Sequence, residues 1–178
     1  GSKKIHADID PSSINKNVRA DVPIVADCGK ALAAILKGWT KASPKKPDLK
    51  AWWEQIDQWR ARKGFAYPQS KQLIKPQYAI ERLFAATRGR DTYITTEVGQ
   101  HQMWAAQYFH FDKPNRWMTS GGLGTMGYGL PAALGVQIAH PDALVIDIAG
   151  DASVQMTMQE MSCAVQYEAP IKIFILNN

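Results

Sequence analysis

The chain has 178 residues, 46% of them apolar and 21% charged, and a net charge of +5 at neutral pH. That is enough material for one full domain and part of another, and it excludes collagen-like, coiled-coil and wholly disordered chains. The longest apolar runs, residues 143–150 and 171–176, fall far short of the roughly 18 residues of a membrane-spanning helix, so no membrane partner is expected.

Residues 5–10 alternate as a strand should and are closed by Pro11-Ser12-Ser13; residues 22–26 read as a second strand, and Asp27 can cap a helix over residues 29–37. This piece is too small to bury a core alone and reads as the end of another α/β domain. From Gly38 to Lys75 the composition shifts to Pro, Lys and Trp. Trp52, Ile56, Trp59 and Lys63 share one face at helical spacing, which predicts an amphipathic helix over 49–62 laid by its aromatic side on a neighbouring domain. Lys41, Lys45, Lys46 and Lys50 lie among prolines and read as a solvated linker, so no nucleic-acid partner is expected.

Beyond Pro76 the pattern becomes regular. Helices are predicted over 77–87, 100–109, 130–140 and 153–167, and strands over 93–96, 116–119, 143–148 and 171–176. This alternation predicts an α/β fold, a mostly parallel sheet with helices on both faces. The expected organisation is a remnant over 1–38, a connector over 39–75 and a domain over 76–178. Because the chain stops at Asn177-Asn178 straight after an apolar strand, a segment of a longer protein is expected. Cys28 and Cys163 are too few for a disulfide scaffold and point to a reducing, cytoplasmic setting.

Parallel sheets present ligands at the carboxyl ends of their strands. Here one strand runs into Gly150-Asp151-Ala152-Ser153 and the next into Asn177-Asn178, with 25 residues (152–176) between the two pairs. That spacing suits one crossover, so adjacent strands would bring Asp151 and Asn178 to one edge. A carboxylate and an amide oxygen form a hard-oxygen half-site for Mg²⁺, which completes its shell with phosphate and water. Gly150 permits a tight strand exit, and a helix starting at Ser153 would favour a diphosphate.

With these residues in place, Gly150-Asp151 and Asn177-Asn178 resemble the thiamine diphosphate (ThDP) motif. The segments Val98-Gly99-Gln100-His101-Gln102-Met103-Trp104 and Ser120-Gly121-Gly122-Leu123-Gly124-Thr125-Met126-Gly127 are similar to the acetohydroxyacid synthase family, also called acetolactate synthases. The resemblance runs over essentially the whole chain. It implies decarboxylation of pyruvate and carboligation to a second 2-oxoacid, pyruvate or 2-oxobutyrate, in branched-chain amino acid synthesis. It further implies a transferase with ThDP, Mg²⁺ and FAD as cofactors. Asp151 and Asn178 would ligate Mg²⁺, the Ala152 and Ser153 main chain would hold the diphosphate, and Val98, Gly99, Gln100 and His101 would form a second diphosphate loop. Gly124, Thr125 and Met126 would meet the aminopyrimidine, Met126 as the apolar wedge that bends the cofactor. The family's activating glutamate falls outside these residues, so neither Glu97 nor Glu160 takes that role, and the 178 residues alone are expected to be inactive.

The same resemblance makes residues 1–38 the end of a Rossmann-like middle domain, with Asp8, Ile9, Asp27 and Cys28 touching FAD. It implies a homodimer or homotetramer of the full-length chain, with a regulatory small subunit as a further partner. Two alternatives stand beside it within enzymes. One is another ThDP-dependent decarboxylase, carboligase or oxidase; the other is a NAD site, because residues 122–127 spell G-x-G-x-x-G ahead of a helix.

Overall fold

The computed structural model describes residues 2–177. The chain divides into two units, Gly1–Arg62 and Lys63–Asn178. In the first, strands β1 (Ile5–Asp8) and β2 (Val22–Val25) pair in parallel, Asp8 opposite Val25. Asp10 turns the chain between them by accepting the Ser12 N–H at 2.8 Å, and Asp27 caps helix α1 (Cys28–Ala42) by accepting the Lys30 N–H at 3.0 Å. Helix α1 runs five residues past its expected end at Lys37. Gly38 costs only about 1 kcal/mol inside a helix, and the turn beyond it is held by the Thr40 hydroxyl on the Leu36 carbonyl at 2.9 Å. The helix stops at Ser43, which takes a left-handed conformation with φ 42°. Helix α2 (Lys50–Ala61) forms where the Trp spacing placed it. Trp52 and Trp59 meet edge to face at 5.7 Å, but both rings are about half exposed. Lys63, expected on the same helical face, lies past the helix end with φ 48°.

The second unit is an α/β layer. Helix α3 (Pro76–Thr87), with Pro76 as its first residue, precedes strand β3 (Thr92–Thr96), helix α4 (Gln100–Tyr108), strand β4 (Trp117–Thr119) and helix α5 (Gly129–Ala139). Strand β5 (Leu144–Gly150), helix α6 (Met161–Gln166) and strand β6 (Lys172–Leu176) follow. All four strands are parallel, in the order β4-β3-β5-β6. Period-two alternation sorts the side chains to two faces. Ile94, Ile146 and Ile148 pack with Ile80, Ala105 and Tyr108 of α3 and α4, while Tyr93 and Val145 pack with Ala133 of α5. Helices thus cover both faces, as a nearly continuous apolar strand such as β5 requires.

One helix predicted over 153–167 is not formed. The segment breaks into two short 3-10 turns, Ser153–Met156 and Met158–Glu160, before α6. The break falls at Thr157, whose backbone leaves helical geometry with φ −134° and ψ 23° and whose hydroxyl donates to the Gly127 carbonyl at 3.3 Å. A tertiary hydrogen bond here overrides local helix propensity. Among the described residues no helix is long and apolar enough to cross a membrane.

Candidate functional site

The strand order dictates where a ligand can enter. From β3 the chain crosses to β4 on one side, then returns by α5 to β5 on the other, so the connections leaving β3 and β5 diverge and open a crevice between their carboxyl ends. Residues 98–101 follow β3 and residues 150–153 close β5. Together with Met126 they line one hollow of about 380 Å³. Segments separated by some fifty residues in sequence meet here because β3 and β5 are neighbours, Thr96 opposite Ile148.

The walls are made for close approach to main chain. Gly99 has φ +154°, and a Cβ there would sit 2.7 Å from the His101 ring; a Cβ at Gly150 would sit 2.8 Å from the same ring. Glycine at both places lets the buried imidazole slot between the two loops. Ser153 is buried, and its hydroxyl accepts the Gly150 N–H at 3.1 Å, pinning the turn after β5. Asp151 is exposed at the rim. Burial holds the His101 imidazole below its ordinary range, against a main-chain hydrogen bond at Glu97 and the charge of Asp151, which both favour the protonated ring. Its Nε2 is buried without a partner. A neutral ring offers no fixed positive charge, so an anion in this hollow would rely on main-chain N–H groups.

The structure brings residues 98–101, Met126 and 150–153, all named from the sequence, together around one hollow. Gly150 is the last residue of β5, paired with Leu176, rather than part of an exit loop. The helix expected to begin at Ser153 is a four-residue 3-10 turn. The diphosphate reading there consequently loses its helix dipole and retains only the main-chain turn. Gly124 and Thr125 belong to the loop that carries Met126 but stand back from the hollow. Gly124 has φ +67°, with Val98 3.7 Å from where its Cβ would be, and the Thr125 N–H is bound by the Ser120 hydroxyl at 2.9 Å. Asn178 lies outside the described residues. Among those described, no three His, Cys, Asp or Glu side chains gather as a metal cluster, so Asp151 is the one predicted Mg²⁺ ligand whose position is given. At the other unit's strand ends, Asp8 closes β1 with Ile9 after it, and Asp27 and Cys28 come two and three residues after Val25 of β2, which pairs with Asp8. Each aspartate already commits one oxygen to main chain, Asp8 to the Asp10 N–H at 2.9 Å and Asp27 to Lys30.

Two acids that sequence reasoning left without a role lie beneath the crevice. Glu97 and Asp147 have no exposed surface, and both lie on the α5 side of the sheet. Glu97 accepts the Gly127 N–H at 2.6 Å and the Leu130 N–H at 3.2 Å. Asp147 accepts the Thr95 hydroxyl at 3.0 Å, and its other oxygen has no partner. An aspartate in the middle of the apolar run 144–149 was the signal available in the sequence. Glu97 weighs against a NAD site at residues 122–127. A pyrophosphate needs the free N–H groups of the helix start, and at α5 the buried Glu97 carboxylate already holds those of Gly127 and Leu130.

Burial, and secondarily the Glu97 charge, push the Asp147 carboxyl from its ordinary 3.8 up to about 7, against the Thr95 hydrogen bond. The folded protein therefore holds this proton through a range in which the unfolded chain has released it. That contribution to stability is full below about pH 4 and is lost as pH rises through about 7. At about 1.4 kcal/mol per unit the loss amounts to a few kcal/mol. Urea midpoints of the native protein should show Asp147→Asn removing this downward slope between pH 4 and 7; an identical slope in both proteins would contradict it.

Residues 97–178 match the family described as thiamine pyrophosphate enzyme, C-terminal TPP binding domain. Over 176 residues, 98% of this chain and 30% of the relative, the chain is 52% identical to the acetolactate synthase isozyme 3 large subunit of Escherichia coli (strain K12). It is 46% identical to the acetolactate synthase large subunit of Haemophilus influenzae over 99% of this chain and 31% of that protein. The mitochondrial acetolactate synthase catalytic subunit of Saccharomyces cerevisiae is 47% identical over 98% of this chain and 25% of its own length. The chain thus spans about 30% of the length of the bacterial relatives it matches. A crevice at the switch point of a parallel sheet agrees with the sequence match over residues 97–178, so this segment carries a thiamine pyrophosphate-binding domain, and along its whole length the chain is similar to a segment of acetolactate synthase large subunits.

Proposed function

We propose that this chain forms the cofactor-diphosphate side of an acetolactate synthase catalytic subunit, a transferase that decarboxylates pyruvate and joins the product to a second 2-oxoacid in branched-chain amino acid synthesis. The observation that carries this reading is the meeting of residues 98–101, 150–153 and Met126 around one hollow at the β3/β5 switch point. The donor set fits a diphosphate, since glycine-lined main chain faces a roomy hollow with an exposed carboxylate at its rim.

In this reading the Ala152 and Ser153 main chain and the Val98–His101 loop bind the diphosphate. Asp151 and Asn178 hold Mg²⁺, and Met126 offers an apolar, flexible surface to the rest of the cofactor. The chemistry supplied by bound ThDP is carbanion stabilisation at a 2-oxoacid carbon. What these residues contribute is orientation and exclusion of water, which favours loss of carbon dioxide from a charged group. Asp8, Ile9, Asp27 and Cys28 fit an FAD ribose at paired strand ends. A homodimer or homotetramer, a regulatory small subunit and a cytoplasmic setting complete the proposal.

The experiment is a fluorescence titration of the full-length protein that contains this chain with ThDP, with and without MgCl₂, followed by product analysis with pyruvate. Mg²⁺-dependent binding and formation of 2-acetolactate are expected. Absence of Mg²⁺-dependent binding would sink the ThDP reading, whereas binding with a different product from pyruvate would assign the chain to another ThDP activity.

A further inference from the structure

Helix α5 starts without a cap of its own. Its N-cap residue, Tyr128, makes no side-chain capping bond, and the work falls to Glu97, at the end of a different element. The two oxygens of this fully buried carboxylate take the N–H groups of Gly127 and Leu130. A buried carboxylate is costly even when hydrogen-bonded, and a second acid, Asp147, stands close enough to add to that cost. A serine or aspartate at position 128 would cap the helix from the surface for less. Capping alone therefore does not account for the arrangement.

Its place in the chain does. Glu97 immediately precedes the Val98–His101 loop, and Gly127 immediately follows Met126. The Gly127 peptide is gripped on both sides, its N–H by Glu97 at 2.6 Å and its carbonyl by the Thr157 hydroxyl at 3.3 Å. Around it there is no slack: Gly127 has φ +88°, and a Cβ there would sit 3.1 Å from both Met156 and Thr157. Met126 itself is 40% exposed and borders the hollow. The fixed points next to it in the chain are the hydrogen bonds on Gly127.

We infer that Glu97 is a positioning residue, which aims Met126 into the cofactor hollow by holding the Gly127 and Leu130 N–H groups and so ties the Met126 loop to the diphosphate loop. This inference rests on the ThDP reading above. It predicts a local effect, because both of the carboxylate's hydrogen bonds go to main-chain groups of one turn.

The test is Glu97→Gln in the native protein, in which an amide N–H opposes one of the two main-chain N–H groups. ThDP affinity, measured by fluorescence with MgCl₂ in excess, should fall about tenfold, the equivalent of one hydrogen bond to a charged group. Amide hydrogen exchange at Gly127 and Leu130 should rise by a similar factor, while Ile94 and Ile146 exchange as before. Glu97→Asp retains the charge but shortens the reach by one methylene, and should fall between the two. It also decides the matter by the same readouts if the Gln variant does not fold. Unchanged affinity and unchanged exchange at Gly127 overturn the inference while leaving the ThDP reading intact. Loosening of the Ile94 and Ile146 amides along with the loop overturns it too, since the role would then be structural. A wild-type protein that takes up no ThDP overturns both.

Discussion

Asp151→Ala in the native protein should lower affinity for ThDP in the presence of Mg²⁺ by roughly 100-fold or more. Residues that merely orient a metal ligand are worth about 10- to 100-fold in metal affinity, and a carboxylate that binds the ion directly should exceed them. The substitution removes an exposed side chain at the end of β5, so the fold should be unaffected and circular dichroism and the urea midpoint should match the wild type. Titrations with ThDP at fixed Mg²⁺, repeated at rising Mg²⁺, measure the effect. Affinity within threefold of wild type would remove Asp151 from the metal site.

Gly129→Ala should be the most damaging small substitution in the second unit. A Cβ at Gly129 would lie 2.3 Å from the Asp147 carboxylate, 2.7 Å from the Glu97 nitrogen and 2.8 Å from the Thr96 carbonyl carbon. Two of these neighbours are backbone of the central strand's end, and Asp147 is itself buried, so nothing nearby can yield cheaply. Overpacking of this kind costs about 1–3 kcal/mol where the surroundings relax. Here roughly 3 kcal/mol or more is expected, read as a shift of the urea midpoint, together with loss of ThDP binding as α5 is displaced from Glu97. A midpoint unchanged by the added methyl would show that the helix can slide away from the strand ends. By contrast Gly135, with no atom within 4 Å of an added Cβ, should accept alanine without loss.

How much of this was legible beforehand differs from element to element. Strands and helices of the second unit were readable because burial and periodicity coincide there: β5 is nearly unbroken apolar sequence and α3 begins on Pro76. The turn 150–153 stood out as a candidate ligand loop because Gly150, Asp151 and Ser153 fall at a parallel strand end, whereas 98–101 was proposed only through the family resemblance. The helix expected over 153–167 failed for an equally physical reason. Local propensity cannot register a hydrogen bond from Thr157 to Gly127, thirty residues away in sequence. Helix α1 overran its expected end because one glycine is too weak a stop when the next turn is held by Thr40.

The sequence by itself determined the fold class and the parallel sheet, since these follow from hydrophobic period, while the candidate cofactor loops rested largely on the family resemblance. Only the tertiary structure decided which strands are neighbours, and with them the crevice, because strand order is set by crossover connections and not by any local pattern. It alone also gave Glu97 and Asp147 a role. In sequence they are two acids fifty residues apart. Folded, they lie together with no exposed surface beneath the start of one helix, where a carboxylate depends on the main-chain and hydroxyl groups that the packing brings to it.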